Sequence, residues 1–383
     1  MIDDNVRLID AVKVIYLEFS KNALNACDAL ELKGLDISIQ DVSVISPEKR
    51  YIVIKNVLGN DEIFLAFSSS LCDALLDIDS YFEKAKSEIK HCSVSLLKST
   101  SKTLNTYIQK HKIRKIILET SYATMDTFFK YREMLPSGCE ISMDSSINDK
   151  ILELRSIKTL KEIKNIKEAQ RLTDDTFSYI LDRIKRGRTE QEIMLDMEFY
   201  MRKQGSEGVS FDFVVVSGKN SSMPHGVPTN KTIEDGDFIT MDFGAVINGY
   251  RSDMTRTVAV GNVSDLQHKV YDAVLFAQNL ALEQIKSGVV CKEVDRVARD
   301  YIYNQGFEGC FGHGLGHSVG LEIHEAPSFN TTDSTILKPG MVLTVEPGIY
   351  LEGQFGVRIE DMVVIKKDGC ENITKSPKEL IIL

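Results

Sequence analysis

Apolar residues recur along this chain with two different periods. From Ile151 to Ile184 they return every three or four positions with charges between them, in "ILELRSIKTLKEIKNIKEAQRLTDDTFSYILDRI". That spacing predicts one long amphipathic helix. A second helical pattern, "TEQEIMLDMEFYMRKQG", places Thr189 as cap and Glu192 three residues on, a capping box, with Gly205 as the stop. Two more follow, "DLQHKVYDAVLFAQNLALEQIK" and "CKEVDRVARDYIYNQG". Elsewhere the period is two. "FDFVVVSG", "FITMDFGAV" and "YRSDMTRTVAV" predict strands, and the tail after residue 310 is strand-rich and glycine-rich. The first part of the chain mixes both periods. Strands are expected at "RYIVIKNV" and "DEIFLAF", across a turn at Gly59–Asp61, and at "KIRKIILET". Helices are expected at "DSYFEKAKSEIK" and "KTLNTYIQKHK". Residues 1–50 carry the least readable pattern. The expected organisation is an α/β (α+β) chain with a smaller N-terminal domain, 1–150, and a second domain, 151–383.

The segment "FITMDFGAVINGYRSDMTRTVAV" alternates, turns at Asn248-Gly249 and alternates again. Asn-Gly favours a two-residue type I′ turn. With that loop, Asp253 lies opposite Gly244. Asp242 stands two residues from Gly244 on the same face. The two carboxylates become diagonal neighbours, about 7–8 Å apart at the backbone. Side chains reaching inward could share metal ions spaced roughly 3.5–4 Å, with Gly244 leaving them space. The opposite face carries Ile239, Met241, Phe243, Ala245 and Met254, and is expected to be buried. From the hairpin alone, acids facing solvent and acids facing a site are equal alternatives.

Composition narrows the choice. The 383 residues are 43% hydrophobic, enough for a sizeable core, and the net charge is -10. A nucleic-acid binder would show a basic face. The richest basic stretch, Lys110–Lys115, is short and runs into the apolar "IILE", as a solvated strand edge would. No apolar run reaches the roughly 18 residues of a membrane helix, and "MIDDNVRLID" lacks the pattern of a signal peptide. The 7 cysteines include no C-x-x-C pair, as expected of reduced thiols in a cytoplasmic protein. Nucleic acid and membrane are therefore not expected partners.

Three histidines, His313, His317 and His324, fall within "FGHGLGHSVGLEIHE". Its glycines argue against a helical zinc motif and predict a loop leading into a strand at "SVGLEIH". Glu346 ends the apolar run "MVLTV" and is followed by Pro347-Gly348. In "VRIEDMVVI", Arg358 and Glu360 share one strand face, with Val357 and Ile359 on the other. A glutamate in such a strand is costly unless it is paired or metal-bound. Pairing with Arg358 alone is the simpler alternative.

In order along the chain, "MDFG", "SDMTRT", "GHGLGHSVGLEIHE", "TVEPGIY" and "VRIED" resemble the pita-bread metallopeptidases, the family of aminopeptidase P, prolidase, creatinase and methionine aminopeptidase. The resemblance runs from roughly residue 150 to the end. "VRIED" and the large N-terminal domain look like the Xaa-Pro peptidase branch. The usual tyrosine- and glycine-rich opening motif of that domain is absent.

The resemblance implies a pita-bread catalytic domain at 151–383 and a creatinase-like domain at 1–150 that governs substrate access or oligomerisation. It implies five metal ligands. Asp253 and Glu360 would bridge two ions, Asp242 would hold one, and His317 with Glu346 the other. This hard, oxygen-rich set suits Mn²⁺, with Co²⁺, Zn²⁺ or Fe²⁺ as alternatives. An activated water would attack the Xaa-Pro carbonyl while Glu346 takes and delivers its proton. His225 or His324 would stabilise the oxyanion, His313 would line the site, and Arg358 would orient Glu360. The expected activity is Xaa-Pro aminopeptidase on short peptides. Xaa-Pro dipeptidase is the alternative, and a non-catalytic peptide-binding domain or a two-metal phosphoesterase are less favoured. The expected partners are proline-containing di- or oligopeptides and a second copy of the chain in a homodimer.

Overall fold

The computed structural model describes residues 39–45, 49–55, 62–68 and 94–97 by their backbone, and residues 100–383 except 122 and 144. Two compact units divide the chain, Met1–Leu154 and Arg155–Leu383.

In the first unit, β1 (Ile39–Ile45), β2 (Lys49–Lys55) and β3 (Glu62–Ser68) are antiparallel neighbours. β4 (Val94–Leu97) joins β1 in parallel, giving the order β3-β2-β1-β4. The strands expected at residues 50–57 and 61–67 thus pair directly. The turn at residues 59–61 and the helical pattern at residues 79–90 lie outside the described residues. α1 (Thr100–His111), β5 (Lys115–Ile117), α2 (Met125–Met134) and β6 (Glu140–Ser142) follow. Leu104 and Ile108 of α1 bury with Ile113, Ile116, Leu118 and Tyr131. The basic stretch at residues 110–115 closes α1 and enters β5, with its lysines exposed.

The predicted long helix is two. α3 (Ser146–Ser156) ends, and α4 (Leu160–Leu181) starts again at Thr159. Thr159 N donates to Glu162 Oε2 (2.6 Å) while Glu162 N donates to Thr159 Oγ1 (3.3 Å), a capping box. Periodicity hid the break because Leu160 continues the apolar spacing, yet Leu160 is 87% exposed. α5 (Glu190–Lys203) begins with the expected Thr189–Glu192 box, and Gly205 beyond its end has φ 105°.

β7 (Val214–Ser217), β8 (Phe238–Phe243), β9 (Val246–Ile247), β10 (Tyr250–Arg251) and β11 (Met254–Ala259) build the next layer, with β8 between β7 and β11. Asn248 and Gly249 have φ 50° and 78°, the left-handed pair a type I′ turn needs. The register follows from that loop: Ile247 pairs with Tyr250 and Phe243 with Met254. Each expected long strand is interrupted where residues 244–245 meet residues 252–253. Gly244 does not leave space for carboxylates. A Cβ there would lie 1.9 Å from Ser252 O, so the glycine lets two backbones touch, and Ser210 Oγ bonds Ala245 O and Ser252 O, both at 2.8 Å.

The apolar face of this hairpin is buried as its alternation requires. Ile239, Met241, Phe243 and Met254 have no exposed surface and pack under Phe177, Ile180, Ile193 and Met197 of α4 and α5. Each such side chain contributes about 1.5–3 kcal/mol on burial. α6 (Asp265–Gln284) and α7 (Cys291–Asn304) cover a second sheet. There, β12 (Gly316–Ser318), β13 (Glu325–Phe329), β14 (Val342–Val345), β17 (Asp361–Ile365) and β18 (Cys370–Asn372) run in the order β13-β12-β14-β17-β18. β15 (Gly348–Leu351) and β16 (Phe355–Arg358) form a separate hairpin. The polar face of β8 and β11 is stitched to this half by threonines. Thr240 and Thr257 hydroxyls lie 3.0 Å apart, and Thr257 Oγ1 donates to Arg358 O (3.0 Å). Among the described residues no helix is long and apolar enough to cross a membrane.

Substituting Gly244→Ala must push β8 and β11 apart where they touch. Urea unfolding of the metal-free chain is expected to show a loss of about 1–3 kcal/mol. An unchanged midpoint would show that the close approach carries no weight.

Candidate metal centre

All nine side chains singled out in the sequence line one cavity of about 800 Å³. Asp242 comes from β8 and Asp253 from the residue before β11. His317 comes from β12, Glu346 from the residue after β14, and Glu360 from the bend between β16 and β17. Glu360 N donates to Thr255 O (3.1 Å), which ties that bend to the hairpin. The diagonal Asp242–Asp253 relation follows from the observed register, in which Asp242 pairs with Thr255.

Three of the carboxylates keep one oxygen without a hydrogen-bond partner. Asp242 Oδ1, Asp253 Oδ1 and Glu360 Oε1 are buried and accept no hydrogen bond. His317 Nδ1 donates to Ser318 O (3.2 Å), so Nε2 keeps its lone pair and points at Asp253 Oδ2 (3.5 Å) and Glu346 Oε1 (3.4 Å). Burial first, and then His324, press the His317 imidazole down to about 4, so it is neutral near pH 7. These two contacts are therefore not ion pairs. One donor atom from each of Asp253, His317 and Glu360 lies within 4.8 Å of the others. Lone pairs converging in a buried space are what a cation requires and what its absence penalises. The residues fit a divalent metal centre.

The same crowding shows in the acidities. Burial first, then Glu360, Asp242 and Glu346, push the Asp253 carboxyl well above its ordinary range. Burial, Glu346 and Asp242 do the same to Glu360. Burial pushes Glu346 up to about 8, against the opposing charge of Arg358.

Arg358 does not pair with Glu360. Its Nη2 donates to Asp242 Oδ2 at 2.6 Å. It reaches Glu360 only through Thr255, whose Oγ1 accepts from Arg358 Nε (3.0 Å) and donates to Glu360 Oε2 (2.7 Å). Arg358 Nη1 donates to Tyr350 OH (2.7 Å), which donates in turn to His313 Nε2 (2.9 Å). His313 Nδ1 donates to Gly314 O (2.8 Å). Both ring nitrogens of His313 are thus engaged, and it orients Tyr350. His225 and His324 are exposed on the cavity wall.

Pattern reading missed four supports. Tyr350, Thr255 and Thr344 lie inside the recognised motifs but carried no expectation. Thr344 Oγ1 accepts from His317 N (3.0 Å) and donates to Glu346 Oε1 (3.2 Å). Arg256 is fully buried in β11. It bonds Asp361 Oδ1 (2.8 Å), Glu360 O (2.6 Å) and Thr255 O (2.9 Å). An arginine among the apolar positions of a strand was its available signal. The strand expected at "SVGLEIH" is also absent. β12 stops at Ser318, because the Glu325 carboxylate accepts from Leu321 N (3.0 Å) and Glu322 N (3.2 Å) and folds residues 319–324 into a bend.

The raised Glu346 carboxyl has a definite sign in stability. Its folded value, about 8, exceeds the ordinary 4.5, so the metal-free chain loses the associated stability as pH rises through that window. Glu346→Gln removes the penalty. In EDTA its melting temperature relative to the parent chain is expected to climb by several degrees between pH 5 and pH 8. A difference that is flat or falls with pH would contradict the assignment.

Residues 164–367 match the family described as metallopeptidase family M24. The chain is 44% identical over 235 residues to the Xaa-Pro dipeptidase of Pyrococcus furiosus, spanning 61% of this chain and 68% of that one. Its fold is similar to that of an Xaa-Pro dipeptidase from Bacillus anthracis, with TM-score 0.79, 36% identity, and 95% and 99% of the two chains covered. It is also similar to an X-Pro aminopeptidase from Thermotoga maritima, with TM-score 0.76, 35% identity, and 87% and 90% covered. The chain therefore belongs to metallopeptidase family M24, as a peptidase with the pita-bread fold that uses divalent metal ions.

Proposed function

We propose that this protein is an Xaa-Pro dipeptidase, a prolidase, that holds two divalent ions through Asp242, Asp253, His317, Glu346 and Glu360. The observation that carries the metal centre is the set of unpartnered, buried oxygens on Asp242, Asp253 and Glu360, together with a His317 Nε2 that faces Asp253 and Glu346. The relatives support the dipeptidase alternative better than the aminopeptidase reading favoured from the motifs, since the Pyrococcus and Bacillus proteins both bear the dipeptidase name. Mn²⁺ is the proposed metal on donor chemistry, and a cytoplasmic homodimer is the proposed state.

Bound in this centre, the ions supply Lewis acidity that polarises a peptide carbonyl and acidifies water. The chain supplies the rest. Glu346, whose Oε1 accepts from Thr344 Oγ1 (3.2 Å) and stands 3.4 Å from His317 Nε2, is the group to accept a proton and return it to the proline nitrogen. Arg358 clamps Asp242, and Thr255 fixes one oxygen of Glu360, so each turns its other oxygen into the cavity. The exposed imidazoles of His225 and His324 offer donors to the carbonyl oxygen as charge builds on it. A bond to proline is a tertiary amide with no N–H to satisfy. The apolar wall of Met194, Val209, Phe211, Val227 and Ile323 suits a pyrrolidine ring.

Hydrolysis of Ala-Pro beside Ala-Pro-Ala by the Mn²⁺-loaded protein tests the reading. Cleavage of the dipeptide alone is expected. Efficient cleavage of the tripeptide would return the assignment to an aminopeptidase, and no cleavage with metal verified as bound would leave a peptide-binding domain. In the same assay Asp253→Asn is expected to abolish turnover, and calorimetry to show most metal affinity lost, with the circular dichroism spectrum retained. An active, metal-replete variant would remove Asp253 from the ligand set.

A further inference from the structure

Residues 218–229 run from a short 3-10 turn, Gly218–Ser222, along the cavity wall and carry Pro224 and His225. Pro224 O accepts Arg358 Nη1 (3.1 Å), so the segment touches the network that holds Asp242. Yet it forms no strand. Something must fix both its ends for His225 to keep one place.

Backbone pairing holds the entry through β7 and the exit through Gln191 N, which donates to Thr229 O (3.1 Å), and one carboxylate ties the two together. Glu190, the first residue of α5, has no exposed surface. Its Oε1 accepts from Ser217 N (2.6 Å), Ser217 Oγ (2.9 Å) and Asn220 Nδ2 (3.1 Å). Its Oε2 accepts from Thr229 N (3.0 Å) and Thr229 Oγ1 (2.7 Å). Entry, interior and exit of the segment therefore meet on one side chain. No ion pair reaches Glu190 among the described residues. A buried carboxylate without a counter-charge is costly, and here backbone N–H groups, hydroxyls and a helix N-terminus offset that cost. Gly226 adds a tight contact, since a Cβ there would lie 2.7 Å from Val216 Cγ1.

We propose that Glu190 is a positioning residue for the peptidase reaction: its carboxylate staples both ends of residues 218–229 and so sets where His225 meets the substrate. The inference rests on the Xaa-Pro peptidase reading for its substrate and on the hydrogen bonds for its geometry. Glutamine is the informative replacement because it keeps the shape but turns an NH₂ toward donors at one end. A shape-only role would survive it.

The experiment compares the parent chain, Glu190→Gln, His225→Ala and the double variant. Expected for Glu190→Gln is a roughly tenfold fall in kcat/KM on Ala-Pro, the size of one lost hydrogen bond to a charged group. Mn²⁺ affinity stays close to the parent. In the His225→Ala background the further loss is expected to be small, as coupled sites require. Independently of activity, trypsin is expected to cut after the exposed Lys219 faster in Glu190→Gln. Parent-like kinetics with a parent-like tryptic rate would overturn the proposal, as would losses that add fully to those of His225→Ala. If Glu190→Gln does not fold, Thr229→Val, which removes one donor, carries the same kinetic and tryptic comparison. A parent chain inactive on Ala-Pro would sink the substrate reading alone, because the tryptic comparison would still decide the role of Glu190.

Discussion

Four carboxylates and one neutral imidazole are held in a buried space where their lone pairs point at each other. Much of the larger unit serves that unfavourable convergence. An isolated chain would relieve it by moving a side chain to water. Here the backbone does not allow that, because the acids stand on strands or strand ends locked by two sheets. Hairpin register places Asp242 and Asp253, the β14–Pro347 corner places Glu346, and the bend after Arg358 places Glu360. Each acid is delivered by an element whose apolar face is fully buried, so the cores under α4 and α5, and under α6 and α7, hold the charges together.

Two arginines frame this arrangement from behind. Arg358 neutralises one oxygen of Asp242 and, through Thr255, orders Glu360. Arg256 gathers the backbone carbonyls of Thr255 and Glu360 together with Asp361. Neither cation enters the gap among Asp253, His317 and Glu360. Positive charge is thus used to aim the donors and is withheld from the place where a metal ion would sit. The same logic governs the cavity wall, where a buried carboxylate fastens a segment using neutral donors.

Local pattern carried much of this. Asn248-Gly249 set the turn type, the turn set the register, and the register put Asp242 and Asp253 on one face away from Met241, Phe243 and Met254. The capping box at Thr189 was readable because its residues lie three apart. The same box at Thr159 was masked by Leu160, which satisfies an apolar spacing while facing solvent. Periodicity records which residues are apolar and not which are buried. The glycine-rich stretch from Phe311 was recognisable as irregular, but the bend at residues 319–324 was not. It depends on Glu325 folding back onto Leu321 and Glu322, while Arg155 and Lys158 hold its carboxylate.

By itself the sequence put Asp242 and Asp253 on one face of a hairpin, because strand alternation and turn chemistry are local, and its motifs singled out the other candidate ligands through a family resemblance. Only the tertiary structure decided which donor atoms remain without partners, that Arg358 serves Asp242, that both nitrogens of His313 are spent, and that Gly244 exists for backbone contact. Those facts depend on distances between strands far apart in the chain. A one-dimensional pattern cannot state them, since each is settled by which neighbour arrives first at a hydrogen-bonding atom.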